Sequence, residues 1–346
     1  MMDNLGSILE RHEAFWRRED IGRPLVRLLP RQRATVRFDD MDVSPDMLDV
    51  ERLTPDVGQR NLGKQLVQGD LLRTESAFSR IPWMEALIGC GIHSGTDNAM
   101  WPRPALGPNY EGMEKIVPAD DNPWLEKLLS LTRALVEAND GSYVVTHTLM
   151  RGPSDMLSAL LGDQRMGLAL YDAPDTVDEI LSLATEAFIK VANAQFDVIP
   201  PFHGGQTAWL YGLWGEGSVI RFQSDSSSQL SPQMYEERIL PHDRRIMRAF
   251  DRSILDLHSA GTLHIHEKLL AVEELDALSV TLDRYENAPT VRDLLPTFAR
   301  ILEQKSLLIT GEMTMAEADL LRRELPARGL AINGDVTERL LWERSV

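Results

Sequence analysis

The chain has 346 residues, 43% of them hydrophobic, enough for one large core. A formal net charge of −17 gives an acidic surface that repels phosphate backbones and anionic lipid, so neither nucleic acid nor a membrane is an expected partner. The single cysteine, Cys90, excludes an intramolecular disulfide and a multi-thiolate zinc site built within one chain, and no apolar run approaches the roughly 18 residues needed to span a bilayer.

Residues 1 to about 23 are patterned as a helix with Leu5, Ile8, Leu9 and Phe15 on one face. They lack the apolar core of a signal peptide, so a cytoplasmic protein is expected. RPLVRLLP then reads as a short strand bounded by Pro24 and Pro30. The acidic, weakly periodic stretch from 31 to about 75 reads as an excursion over the mouth of the fold or a mobile lid. WLEKLLSLTRALVEAN (124–139) is an amphipathic helix, with Gly141 as its stop signal.

From SYVVTHTLMRGP onward, strands and helices alternate. SDMLSALLG and TVDEILSLATEAFIKVANAQF are helical, and the apolar DVIPPFHGG leads towards the strand SVIRFQSD. SPQMYEERILPHDRRIMRAFD opens a helix with Ser231 as N-cap and Pro232 at the first helical position. SILDLHSAG, ALSVTLDRYE and KSLLITGEM follow as strands, separated by the helical HEKLLAVEEL and TVRDLLPTFARILEQ and followed by MAEADLLRRELPARG. Sustained alternation implies a parallel sheet with helical crossovers. No G-x-G-x-x-G or Walker loop supports an open nucleotide-binding sheet. Length and strand count fit an α/β fold of the (β/α)₈ TIM barrel type with an N-terminal helical extension. No linker divides the chain, so 1–346 reads as one domain, with about 1–75 as N-terminal elaboration and about 76–346 as barrel.

Active residues of such a barrel stand just past the C-terminal ends of its strands. The polar strand ends here are His147 and Arg151; His203, Gly204 and Gly205; Gln223 and Asp225; His258; Asp283 and Arg284; and Glu312. Asp225, His258 and Glu312 are the candidates for acid–base work. His147, Arg151, His203, Trp214, Gln223 and Asp283 are the candidates for binding substrate. Each has a plainer alternative: a buried histidine satisfied by a carbonyl, a surface arginine paired with an acid, or a solvated loop carboxylate. The aromatic stretch PPFHGGQTAWLYGLWGEGS either walls a ligand or packs on its own barrel. In LHSAGTLHIH, His264 and His266 lie two apart and share no helix face. They would join His258, with Asp225 or Glu312, at a His/carboxylate metal site only if the segment were irregular, and no metal is expected.

The ordered stretches LMRGPSDMLSALLG, YDAPDTVDEIL, FQSDSSSQLSPQMYEERILPHDRRI, LDLHSAG and LLITGEMT, over about 143–320, resemble the uroporphyrinogen decarboxylase superfamily, which includes corrinoid-dependent methyltransferases. The resemblance implies a (β/α)₈ barrel and a homodimer. Two departures are visible. The arginine-rich M-R-Q-A-G-R-Y signature of the decarboxylases is missing, although Arg17, Arg18, Arg23 and Arg27 lie near the N-terminus. Where the zinc methyltransferases carry His-x-Cys-Gly, this chain has His258-Ser259-Ala260-Gly261, and GLAINGD holds no second cysteine. The expected function is methyl transfer from a small methylated substrate to a corrinoid on a partner protein, with no covalent cofactor and no thiolate zinc. Decarboxylation of a porphyrinogen or other polycarboxylate, or ligand binding without catalysis, are the alternatives.

Overall fold

The computed structural model describes residues 2–30, 36–58 and 65–336. Parts of the acidic stretch read as a lid, residues 31–35 and 59–64, lie outside the described residues.

A seven-stranded parallel sheet runs in the order Leu25–Pro30, Leu330–Val336, Ser306–Met313, Ala277–Leu282, Arg252–His258, Val219–Gln223 and Met150–Arg151. Its two edges approach each other through one further segment. Thr74–Glu75 pairs in parallel with Val144–Val145, on the same run of chain as the 150–151 edge. Asp70 completes the circuit: its N–H donates to the Val26 carbonyl (2.9 Å), and its carboxylate accepts from the Val26 N–H (3.0 Å). Neighbours therefore follow one another around a ring, as in a (β/α)₈ barrel.

The strands alternate in the way that a buried sheet curled on itself demands. Outward positions such as Phe222, Leu255, Leu257, Val280, Ile309 and Ile332 are fully buried under the helices. The principal crossover helices are Pro153–Leu161, Pro174–Phe196, Leu240–Arg248, Val291–Leu302 and Met315–Glu324. Thr290 and Thr314 start the last two with capping boxes, each accepting from the backbone N–H three residues on. Inward positions at the N-terminal ends are apolar: Leu25, Val219, Ile254, Ala277, Leu308 and Ala331 form one cluster with Phe15 and Trp16. The N-terminal helix, Met2–Trp16, is shorter than the reading to about 23 and covers this end.

The structure differs from the sequence reading in three places. Leu25–Pro30 and Thr74–Glu75 belong to the ring, although both fall before about residue 75. LAINGDV forms a full strand, Leu330–Val336, where no strand was read. SYVVTHTLMR is strand only at 144–145 and 150–151, with irregular backbone between them.

Candidate functional site

Beyond the apolar floor, the inward positions turn polar. Arg27, Arg221, Asp256, Thr310 and Asn333 come next along their strands, and above them stand Gln223, His258, Thr281 and Asp335. They line a cavity of about 440 Å³ inside the ring. A turn from the connection before the 219–223 strand enters from below, so that Trp209, Leu210 and Tyr211 also line it.

Burying so many charges requires internal partners. Arg221, 2% exposed, donates to Gln223 Oε1 (2.8 Å) and Tyr211 Oη (3.0 Å) and pairs with the Asp256 carboxylate. Its guanidinium lies 4.9 Å from the Trp209 ring and 5.3 Å from the Tyr211 ring. Burial is the largest single influence and opposes its charge, but Asp256, Tyr211 and Asp225 together outweigh it and raise its pKa. Asp256 also accepts from the hydroxyls of Tyr211 (2.9 Å), Ser279 and Thr281. Burial pushes the Tyr211 phenol up to about 12, which keeps it a donor. Arg27 donates to Asn333 Oδ1 (2.9 Å) and to the Leu72 and Leu210 carbonyls (2.7 Å each). Burial lowers its pKa to about 10, so it stays charged at neutral pH.

At the mouth, Gln223 passes the network on: its Nε2 donates to Asp225 Oδ2. His258 lies between two carboxylates, with Nδ1 2.7 Å from Asp283 Oδ1 and Nε2 3.8 Å from Asp225 Oδ1. Asp283 is fixed in turn by the Ala260 N–H (2.8 Å) and the Ser259 hydroxyl (3.3 Å). Burial disfavours the imidazolium, but Asp225, Asp283 and Asp256 together raise the His258 pKa above the ordinary value. The 3.8 Å separation on the Asp225 side is too long for a hydrogen bond. His258 therefore has one nitrogen anchored and one available, and its side chain is 35% exposed.

The structure thus brings together Asp225, His258, Gln223 and Asp283. Glu312 is on the 306–313 strand, outside the lining of this cavity, and its carbonyl accepts from Arg284 Nε (2.6 Å). Arg151 pairs with Glu85 (3.0 Å) on the wall of a neighbouring cavity. His147 is fully buried and satisfies the broken strand: Nδ1 meets the Thr148 carbonyl (2.7 Å), and Nε2 accepts the Arg221 N–H (3.3 Å). Burial lowers its pKa to about 4, so it is neutral. His203 is exposed, and Trp214 is buried with its indole donating to the Phe202 carbonyl (2.7 Å). Both precede the 219–223 strand and so belong to the end of the ring opposite His258.

His264 bonds the Leu230 carbonyl (2.8 Å) and His266 the Leu263 carbonyl (2.8 Å), so both rings are engaged by backbone and not by His258. Among the described residues, no three His, Cys, Asp or Glu side chains are grouped so as to hold a metal. Cys90 is buried, its thiol directed at the Ala159 carbonyl (3.4 Å). These residues do not fit a thiolate zinc centre. The interior charges Arg27, Arg221 and Asp256 lie one step below the strand ends, where the strand-end rule does not reach. Their signal was present: one polar residue alternating with apolar ones in LVRLL, VIRFQ and ILDLH.

No protein-family model and no curated protein matches this sequence. Among solved structures, the chain is similar in fold to a methyltransferase from Methanosarcina mazei, with a TM-score of 0.62 and 15% identity over 95% of this chain and 93% of that one. A B12-independent methionine synthase from Shewanella sp. W3-18-1, in complex with selenomethionine, overlaps 69% of this chain and 64% of its own at a TM-score of 0.42 and 11% identity. The first likeness shows an α/β fold of TIM-barrel type; the second is too slight to carry an argument.

Proposed function

We propose that the protein is a methyl-transfer enzyme of the uroporphyrinogen decarboxylase superfamily, taking a methyl group from a small methylated compound held in the barrel. The observation that carries this reading is His258 at the mouth of a polar cavity, anchored by Asp283 on one side and open on the other. A charged His258 holds a proton on Nε2, within reach of a leaving heteroatom placed beside it at the cavity mouth. As the carbon–heteroatom bond breaks, that proton passes to the leaving group, and Asp283 keeps the ring in place. The buried Arg221–Asp256–Gln223 network holds Asp225 and gives the cavity a fixed polarity without relaxation. A corrinoid on a partner protein would supply the nucleophile that accepts the methyl group at the open mouth.

The cavity falls within the usual range for small-molecule sites. Its guanidiniums are engaged by Asp256, Glu75 and backbone carbonyls, which gives a porphyrinogen's many carboxylates little to bind. Wild type and His258→Ala, incubated with reduced corrinoid or a corrinoid protein and a panel of methyl ethers, thioethers and amines, provide the test. Transfer by wild type and a loss of about 10²–10⁴ in kcat in the variant are expected. Silence across the panel together with turnover of uroporphyrinogen would replace this reading with the decarboxylase.

A further inference from the structure

A second cavity, of about 430 Å³, opens beside the mouth between the Pro153–Leu161 helix, the turn after Gln223 and the Met100–Arg103 strand. It shares only Asp225 with the barrel site's mouth residues and has its own chemistry. Glu85 (0% exposed) and Asp155 (3%) line it together with Asp225 and Arg151. Asp155 Oδ1 accepts the Ser226 N–H (2.7 Å), but Asp155 Oδ2, Glu85 Oε2 and Asp225 Oδ1 are buried without a hydrogen-bond partner. Four carboxylates, Glu85, Asp155, Asp163 and Asp225, thus line it with one guanidinium, that of Arg151. Arg151 pairs with Glu85 and His258 is held by Asp283, 3.8 Å from Asp225, so among the described residues Asp155 has no ion-pair partner of its own. The rim carries Trp101, which is 62% exposed.

We infer that this second cavity binds a small organic monocation of the alkylammonium type, with Asp155 and Glu85 supplying the charge and Trp101 the aromatic face. Ammonium groups with methyl substituents are attracted both to carboxylates and to the negative face of an indole ring. A divalent metal is a poorer fit, because the described carboxylates are not grouped at coordinating geometry and the volume suits a molecule instead of an ion. Burial and the neighbouring Asp225 raise the Asp155 pKa to about 7, as expected of a carboxyl lacking its counter-charge. This inference does not depend on the methyl-transfer reading, since binding is read without turnover.

The test is calorimetric titration of the full chain at about pH 8 with choline and tetramethylammonium, and with 3,3-dimethyl-1-butanol as the neutral isostere of choline. Both cations are expected to bind, with the isostere weaker by on the order of tenfold. Trp101→Ala, a surface substitution, is expected to weaken choline about fivefold. Asp155→Asn, checked for folding by its unfolding midpoint, is expected to weaken choline about tenfold. Equal binding of the isostere, no binding of either cation up to about 10 mM, or displacement of choline by millimolar magnesium or calcium would each overturn the assignment.

Discussion

His258 gains its charge from residues far apart in sequence. Asp283 comes from the next strand's end, Asp225 from the previous one, and Asp256 from two positions earlier on its own strand. A histidine whose folded pKa is raised adds stability that is complete below its unfolded value of about 6.5 and is lost as pH climbs through the folded value. His258→Gln is therefore expected to be less stable than wild type at about pH 5.5 and to match it at about pH 9, in urea unfolding at both pH values. The difference should stay below about 1 kcal/mol, because water screens a third of the ring. Removing the anchoring carboxylate acts in the same direction: Asp283→Asn should move the His258 midpoint down in an NMR titration. An unchanged midpoint would show that Asp283 positions nothing.

At the scale of the element, the turn Trp209–Tyr211 depends on Gly212. Gly212 has φ +68°, and a Cβ there would lie 1.9 Å from the Leu72 carbonyl oxygen. The close approach is used: the Leu72 N–H donates to the Gly212 carbonyl (2.9 Å), so the turn is hydrogen-bonded to the ring it enters. Gly212→Ala should cost about 2 kcal/mol or more, by strain and by displacing the turn, seen as a lowered unfolding midpoint. The Arg221–Asp256 pair gives a sharper contrast. Arg221→Met strands a buried carboxylate and should cost about 3–5 kcal/mol, while Arg221→Met with Asp256→Leu should recover much of that. A double variant as unstable as the single one would place the cost in lost packing against Trp209 and Tyr211.

Over the whole molecule, the barrel was legible because period and connection agree. VIRFQ, ILDLH and LLITG are short apolar runs that turn polar, or end on Gly, at their C-terminal ends, and strongly patterned helices separate them. The weak side of the ring was not legible. Thr74–Glu75 and Val144–Val145 form one two-residue pairing without alternation, and this run reaches the Leu25–Pro30 strand only through the side chain and N–H of Asp70 at Val26. LAINGDV was missed because Asn333 and Asp335 point into the cavity and make an interior strand look like a loop. The strand-end rule picks out Asp225, Gln223, His258 and Asp283, which the structure brings together, and also His147 and His203, which lie apart from them, since a polar residue near a strand does not reveal which end of the ring it faces.

Above the apolar floor that the sheet supplies, part of the lower wall of the barrel cavity comes from a connection. Trp209, Leu210 and Tyr211 rise into the ring, where Tyr211 bonds Arg221 and Asp256 and the Leu210 carbonyl accepts from Arg27, while none of the three is hydrogen-bonded to His258, Asp225 or Asp283. Chamber depth is therefore a property of one short turn. A bulkier or slimmer turn would shorten or lengthen the chamber while leaving His258 and its two carboxylates untouched, so the size of molecule admitted can change separately from the chemistry performed on it.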